Sequence, residues 1–154
     1  MTRGMPSVQD MLALQDLENR YWAMADATIE LAIEALFTHD AELSLGAMEI
    51  EGRDAIVRFF TERAQTNRAT DRATRHVATN HVARIIDANT AQMRSTVLVF
   101  SGSGSIPLPV NAPSGIADFA DICVRSGDGW KYRHRIATTI FIGEGAPSFA
   151  RPAS

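Results

Sequence analysis

Residues 116–142, IADFADICVRSGDGWKYRHRIATTIFI, contain the clearest structural pattern in this chain. Two runs rich in β-branched and aromatic residues, 116–125 and 130–142, flank the turn sequence Ser126-Gly127-Asp128-Gly129. This pattern is typical of a β-hairpin, in which a tight turn joins two antiparallel strands. The remaining strands are expected to extend the sheet from this hairpin.

Two further strands are predicted before the hairpin. Residues 74–86 contain no Gly or Pro and include several β-branched residues, and residues 91–100 are strongly β-prone. The turn sequence Asp87-Ala88-Asn89 separates them. Residues 101–115, which contain Gly, Ser and Pro, are predicted to form a long loop that leads into the hairpin.

Helical patterns dominate the first part of the chain. Ser7 is the expected N-cap of a helix over residues 8–25, whose apolar residues recur mostly at helical spacing. A second helix is predicted over residues 28–37 and a third from Gly52 to about Asn67, each with an apolar face. Between the second and third helices, a turn is predicted at residues 38–40, and two short strands are predicted at 42–46 and 48–52.

Three helices followed by a meander of antiparallel strands indicate the α+β class. Such a sheet packs its helices on one face and can curl around a cavity. The length favours a single domain over residues 1–154, with its core at about 8–142. Residues 1–6 are expected to form a loose arm, and the tail from Gly143 is expected to be irregular.

Composition narrows the function classes. The chain is 45% hydrophobic and 21% charged, and its net charge of −3 gives it no electrostatic reason to bind nucleic acid or an anionic membrane. No apolar run approaches the roughly 20 residues that a membrane-spanning helix needs. The start, MTRGMPSVQDML, lacks the apolar segment of a secretory signal. The single cysteine, Cys123, fits a reducing compartment, so we expect a cytoplasmic protein.

Metal and cofactor motifs are missing from the sequence. His76 and His81 are five apart on a predicted strand, so they are expected on opposite faces. Gly102-Ser103-Gly104-Ser105 follows a strand without opening a helix, which does not suit a phosphate-binding loop. Cys123 lies in mid-strand and is expected to be a core residue. We therefore expect neither a metal nor a cofactor.

Asp26 is the first candidate site residue, because it ends the first helix after an apolar stretch. Trp22 and Asp26 are four apart and share a helix face, whereas Tyr21 is about 140° from Asp26 around the helix. Tyr21 and Asp26 can therefore flank one pocket without stacking. The alternative is that Asp26 simply caps the second helix.

His76 is the second candidate, near the start of a predicted strand. On a regular strand His76, Ala78, Asn80 and Val82 share one face, which suggests a partly polar pocket wall. A nearby carboxylate would orient the imidazole and favour its protonated form, so that an Asp–His pair works as a base at neutral pH. The alternative is a surface histidine close to a strand end.

Several segments together carry a family resemblance over about residues 8–142: Asp16-Leu17 through Tyr21 to Asp26, Leu36-Phe37-Thr38-His39-Asp40-Ala41, Gly52-Arg53-Asp54-Ala55-Ile56, Thr74-Arg75-His76 with Asn80, and Asp121 with Asp128-Gly129-Trp130-Lys131-Tyr132. In order and spacing they resemble the NTF2-like superfamily, specifically its SnoaL-like branch. That branch contains scytalone dehydratase, bile-acid 7α-dehydratase and hexachlorocyclohexane dehydrochlorinase.

The resemblance implies a cone, in which a curved sheet wraps around an apolar pocket closed by helices. Asp26 and His76 match the catalytic dyad of the dehydratase-like members, and Tyr21 matches a residue that often reaches the pocket. Arg135 matches an arginine on the last strand, five residues after Trp130, and the two are expected on opposite faces. Asp118 and Asp121 likewise lie on opposite faces of their strand, so one of them is a candidate pocket acid.

The implied function is a cofactor-free lyase acting on a small hydrophobic substrate, cyclic or aromatic. His76 would abstract a proton, Asp26 would hold its tautomer, and Tyr21 would donate a hydrogen bond to a substrate oxygen. Arg135 would stabilise developing negative charge. The expected pocket walls are Trp22, Met24, Phe37, Met48, Phe60, Val97, Val99, Asp118 and Phe119.

Three alternatives remain open at this point. Isomerisation or retro-aldol cleavage needs the same base in the same pocket. A ketosteroid-isomerase-like enzyme would use Tyr21 with Asp118 or Asp121. A non-catalytic domain would bind a small ligand or assemble with partners. In each case a convex sheet face that carries Val77, Thr79, Ile85 and Cys123 is expected to favour a homodimer or homotrimer.

Overall fold

A computed structural model describes residues 4–151, so the expectations for residues 1–3 and 152–154 lie outside the described part. Two α-helices and six strands follow each other along the chain. They are α1 (Val8–Ala25), β1 (Phe37–Leu45), β2 (Met48–Glu51), α2 (Arg53–Ala69), β3 (Arg72–Asp87), β4 (Thr90–Ser103), β5 (Gly115–Ser126) and β6 (Gly129–Ile142). Short 3-10 helices occupy Ile33–Leu36 and Ser148–Ala150.

The sheet is built around the hairpin of β5 and β6. Its strand order is β2-β1-β6-β5-β4-β3, and every neighbouring pair is antiparallel except β1 and β6. The hairpin pairs from Gly115 with Ile142 to Ser126 with Gly129. The sheet is curved and open. The α+β class and the mostly antiparallel cone are therefore confirmed.

Helix α1 has the predicted bounds, because a capping residue marks its start and its apolar residues form one buried face. The Ser7 hydroxyl accepts a hydrogen bond of 3.0 Å from the backbone N–H of Asp10, which satisfies one of the free donors of the first turn. Leu14, Leu17 and Tyr21 recur at helical spacing and are buried against the sheet. Among residues 4–151, neither helix is both long and apolar enough to cross a membrane.

The predicted second helix over residues 28–37 is wrong, and the described chain has two α-helices instead of three. Only Ile33–Leu36 forms a helical turn, and Phe37 already begins β1, so residues 38–40 are strand instead of turn. Ala27 leaves α1 with a left-handed φ of 53°. A segment of this length has little helical stability of its own, and its last residue, Phe37, pairs with Tyr132 of β6.

A β-bulge in β6 changes which side chains face the core. The register with β5 passes from His134 opposite Ile122 to Tyr132 opposite Cys123, so Arg133 is an extra residue. Side chains alternate on each side of the bulge, but the alternation shifts across it. Trp130 and Arg135 are therefore both buried, and the expectation that they face oppositely is wrong.

A second bulge in β3 has the same effect. Asn80 has a φ of 55°, and the register with β4 skips from Thr79 to Val82. His76 and Ala78 remain on the inner face, whereas Asn80 and Val82 are exposed, which corrects the pocket wall expected from a regular strand. Sequence periodicity does not reveal such a bulge.

The outer face of the sheet differs from the expected one. Val77 is half exposed there, but Cys123 is fully buried and Ile85 packs against the core. The bulge in β3 accounts for Ile85, because residues beyond it alternate in the opposite sense. The homodimer or homotrimer remains a prediction.

Candidate active site

Asp26 and His76 meet where the end of α1 contacts β3. The backbone N–H of Asp26 bonds to the carbonyl oxygen of Trp22, which closes the helix. Asp26 Oδ1 lies 2.6 Å from His76 Nδ1 and accepts a hydrogen bond of 2.7 Å from the Thr74 hydroxyl. Asp26 Oδ2 accepts a bond of 2.8 Å from the backbone N–H of His76. Residues 74 and 76 alternate onto one face of β3, so a single carboxylate binds both.

Trp22 holds the His76 ring from a second side. Its indole stacks on the imidazole with centroids 4.3 Å apart and planes 16° from parallel. His76 lines a cavity between the helices and the sheet, and its side chain is 10% exposed. Its second ring nitrogen, Nε2, has no hydrogen-bond partner among residues 4–151 and is not sealed from solvent. Nε2 is therefore the nitrogen available to a ligand.

The bonds around Asp26 set its charge. Burial opposes ionisation, but the hydrogen bond and charge of His76 and the bond from Thr74 outweigh burial and lower the pKa of Asp26 below its usual 3.8. An ionised Asp26 selects the neutral imidazole tautomer that carries its proton on Nδ1. Nε2 is then a proton acceptor that faces the cavity, which is the arrangement of a general base.

The cavity has a volume of about 440 Å³, which suits a small ring compound. The two α-helices, the inner face of the sheet and residues 145–150 enclose it, and its lining is mainly apolar. Six of the expected site residues line it: Tyr21, Trp22, Phe60, His76, Val99 and Phe119.

The other expected wall residues are not in the lining: Met24, Phe37, Met48, Val97 and Asp118. Phe37 and Val97 are fully buried in the core. Asp118 lies on the outer face of the sheet, where it accepts a hydrogen bond of 2.9 Å from the Thr96 hydroxyl. Periodicity separates the two faces of an element, but it does not tell which inner residues its neighbours cover.

Arg135 lies behind the cavity wall, fully buried. Its guanidinium carbon is 4.1 Å from the ring centroid of Tyr21 and 4.5 Å from that of Phe119. It donates hydrogen bonds of 2.8 Å to Glu18 and 3.3 Å to Asp121. Arg135 is thus bonded to two buried acids and does not face the cavity, which corrects its expected position beside a substrate.

Glu18 is a residue that the sequence reasoning missed. Its Oε1 accepts a hydrogen bond of 2.6 Å from Trp22 Nε1, and its Oε2 accepts one of 3.0 Å from the Tyr132 hydroxyl. Burial opposes its charge, but the charge and hydrogen bonds of Arg135 prevail and lower the pKa of Glu18 to about 2. An acid four residues before Trp22, on a buried helix face, is the signal that would have found it.

Tyr21 and Asp121 keep their protons more firmly than usual. Burial raises the pKa of Tyr21 to about 12, although the charge of Arg135 opposes this. Burial also raises the pKa of Asp121 to about 7 against the same charge. Tyr21 lines the cavity, and its hydroxyl bonds to no other described residue and is not sealed in the core, so it is a protonated donor available to a ligand.

Arg63 is a second missed residue. It lines the cavity and donates hydrogen bonds to the Ala25 carbonyl and, at 3.4 Å, to the Thr74 hydroxyl. Thr74 was open to prediction because it alternates with His76 on β3. Arg63 was not, because α2 meets β3 only in the tertiary structure. In the described part of the chain, no group of three or more His, Cys, Asp or Glu side chains is placed to hold a metal ion.

The chain matches known proteins in sequence and in structure. The model of the SnoaL-like domain family matches residues 6–136. Among curated proteins, none matches significantly.

Two solved structures are similar in fold. A provisionally assigned scytalone dehydratase from Novosphingobium aromaticivorans has a TM-score of 0.76 at 22% identity, over 94% of this chain and 93% of that one. ActVI-ORFA from Streptomyces coelicolor has a TM-score of 0.71 at 17% identity, over 86% of this chain and 96% of that one. The family match over most of the sequence and the shared fold agree, and the chain belongs to the SnoaL-like domain family.

Proposed function

We propose that the protein is a cofactor-free lyase that eliminates water from a small hydrophobic cyclic or aromatic substrate. The observation that carries the proposal is the Asp26–His76 pair, whose free Nε2 belongs to a residue of the cavity wall. A base held by an ionised carboxylate next to an apolar cavity suits proton abstraction from carbon. Membership of the SnoaL-like family and the fold shared with a provisionally assigned scytalone dehydratase support the same chemistry.

The reaction begins at His76 Nε2, which takes a proton from a carbon acidified by a neighbouring carbonyl. Asp26 stabilises the resulting imidazolium through its bond to Nδ1. The carbon–oxygen bond of the leaving hydroxyl then breaks, and the proton on Nε2 passes to that oxygen. The products are the alkene and water, and His76 returns to its neutral form. A general base of this kind contributes about 10²–10⁴-fold to the rate.

Tyr21 has the role of hydrogen-bond donor to a substrate oxygen. Its hydroxyl belongs to the cavity wall and keeps its proton, since burial raises the pKa of Tyr21 to about 12. Arg135 acts one layer behind, because its guanidinium holds the Tyr21 ring at 4.1 Å. Arg135 is therefore a positioning residue.

Isomerisation and retro-aldol cleavage also begin with proton abstraction by a base, so both remain alternative reactions for the same site. A ketosteroid-isomerase-like site is not favoured, because Asp118 lies on the outer face and Asp121 is bonded to Arg135. The competing class is a non-catalytic ligand-binding domain, which needs no proton acceptor.

Deuterium exchange tests the base directly. Cyclic β-hydroxyketones are incubated with the protein in D₂O, and NMR follows deuterium uptake next to the carbonyl and formation of the enone. We expect both in the wild type, and a rate lower by about 10²–10⁴-fold in His76→Ala and Asp26→Asn. His39→Gln, at an exposed histidine, is the matched control and should keep the wild-type rate. Wild-type rates in folded His76→Ala and Asp26→Asn proteins would refute the proposal.

A further inference from the structure

Two arginines in the cavity lining have no anionic partner of their own. Arg63 on α2 and Arg72 at the start of β3 both belong to the wall and are half-buried. Within residues 4–151, neither forms an ion pair with a carboxylate. The surrounding lining is mainly apolar. Holding a cation against such a wall is costly unless an anion neutralises it.

The guanidinium of Arg63 lies one side chain away from the candidate base. It donates to the Thr74 hydroxyl at 3.4 Å, and that hydroxyl donates to Asp26 Oδ1 at 2.7 Å. Arg63 makes one further hydrogen bond, to the Ala25 carbonyl, although a guanidinium carries five N–H donors. Nε of Arg63 has no partner in the described part of the chain and is not buried, so this N–H is open to a ligand.

Arg72 brings a second positive charge to the same wall. Its guanidinium donates a hydrogen bond of 2.9 Å to the carbonyl of Gly145, in the tail segment that also lines the cavity. Burial lowers the pKa of Arg63, the negative charge of Asp26 opposes this, and the charge of Arg72 lowers the pKa further. The two guanidinium groups thus repel each other, and Asp26 is already bonded to His76. An anion bound between them would relieve the repulsion.

We infer that Arg63 and Arg72 form an anion-binding subsite, and that the substrate is an apolar ring compound that carries a carboxylate. The two oxygens of a carboxylate match the paired N–H groups of a planar guanidinium. The apolar lining accommodates the ring, and the carboxylate anchors it next to His76. This inference rests on the proposed function, because the bound compound is a substrate only if the protein is an enzyme. Binding of the anion can be tested without turnover.

Calorimetric titration with cinnamate and cinnamamide tests the inference, because the two compounds have the same shape and differ in charge. We expect the wild type to bind cinnamate more tightly by about tenfold or more. The preference should fall to less than about threefold in Arg72→Gln and in Arg63→Gln. Arg68→Gln, at an exposed position of the same helix, is the charge-matched control and should keep the preference. Circular dichroism checks folding, since Arg63 also holds the end of α1.

Three outcomes would overturn the inference: equal affinity of the wild type for both compounds, failure of cinnamate to bind, or an intact preference in both folded arginine variants. His76→Asn separates this inference from the proposed function. It should keep the preference for cinnamate, because it leaves both arginines in place. If the deuterium-exchange assay refuted the lyase proposal, a preference for cinnamate that depends on the two arginines would still support the anion-binding subsite. If the calorimetric titration refuted the subsite, the result of the deuterium-exchange assay would still stand.

Discussion

Trp22 connects the buried charges to the candidate base. One edge of its indole donates to Glu18, which Arg135 neutralises, and one face stacks on His76. The imidazole is therefore held on one side by a hydrogen bond from Nδ1 and on the other by a ring that is itself fixed. Preorganisation of this kind keeps a base in its productive orientation before the substrate arrives.

The stack leads to a spectroscopic prediction. The imidazole covers one face of the Trp22 indole, so its removal should expose that face and shift Trp22 emission to longer wavelength. The measurement is the emission spectrum of His76→Ala in a Trp130→Phe background, which leaves Trp22 as the single tryptophan. His39→Gln in the same background is the control and should leave the spectrum unchanged. An unchanged spectrum in the folded His76→Ala protein would contradict the stack.

At the scale of elements, the ends and irregularities of the helices and strands place the site. Asp26 reaches β3 because α1 stops there and Ala27 turns the chain with a φ of 53°. Arg135 reaches Glu18 because a bulge at Arg133 shifts the alternation of β6. Both features are local departures from regular geometry that the surrounding packing stabilises.

The conformation of Ala27 predicts a stabilising substitution. A residue with a Cβ is strained at positive φ, and glycine is preferred just after a helix end. Ala27→Gly should therefore raise the free energy of unfolding by about 1 kcal/mol, measured by urea denaturation. Ala64→Gly, inside α2, is the control and should lower it by about 1 kcal/mol. A lower stability of Ala27→Gly than of the wild type would show that Ala27 is not left-handed in solution.

At the scale of the whole molecule, one guanidinium holds two carboxylates inside the core. Arg135, Glu18 and Asp121 are all buried, so each protonation change there affects the folding equilibrium. Protonation of Asp121 stabilises the folded protein, whereas protonation of Glu18 destabilises it. The pKa of Asp121 is raised from 3.8 to about 7, whereas the pKa of Glu18 is lowered from 4.5 to about 2.

The sign of each shift predicts how stability depends on pH. Asp121 holds its proton more tightly when folded, so its contribution is fully present below pH 3.8 and is lost as the pH rises to about 7. Glu18 contributes above pH 4.5 and loses its contribution as the pH falls to about 2. Between pH 3.8 and about 7, the free energy of unfolding should therefore decline less in Asp121→Asn than in the wild type, as measured by urea denaturation at several pH values. An equal decline in wild type and variant would assign it to another group.

The outer face of the sheet predicts association. Val77, Val82, Ile136 and Ile140 are 46–65% exposed on it, which favours a homodimer or homotrimer. Sedimentation should show an oligomer, and Val82→Lys should weaken it. Val8→Lys, at an exposed valine of α1, is the matched control and should leave the oligomer unchanged. A stable wild-type monomer would contradict this expectation.

Local patterns in the chain were enough to predict the hairpin, the class of the fold and the first helix. Ser126-Gly127-Asp128-Gly129 between two β-prone runs specifies a tight antiparallel connection, and the spacing of Leu14, Leu17 and Tyr21 specifies a buried helix face. These are local properties, because turn chemistry and periodicity depend on residues close in the chain. Asp26 and His76 were identified as a pair through the resemblance of the chain to a family.

The residues that surround this pair depend on contacts between distant parts of the chain. The segment 28–37 is helical in pattern but ends in a strand, because pairing with β6 outweighs a weak local preference. Arg135 was expected beside the substrate and lies behind Tyr21, whereas Arg63 lines the cavity through the packing of α2 against β3. Bulges and contacts between distant elements set these positions, and neither leaves a period in the sequence.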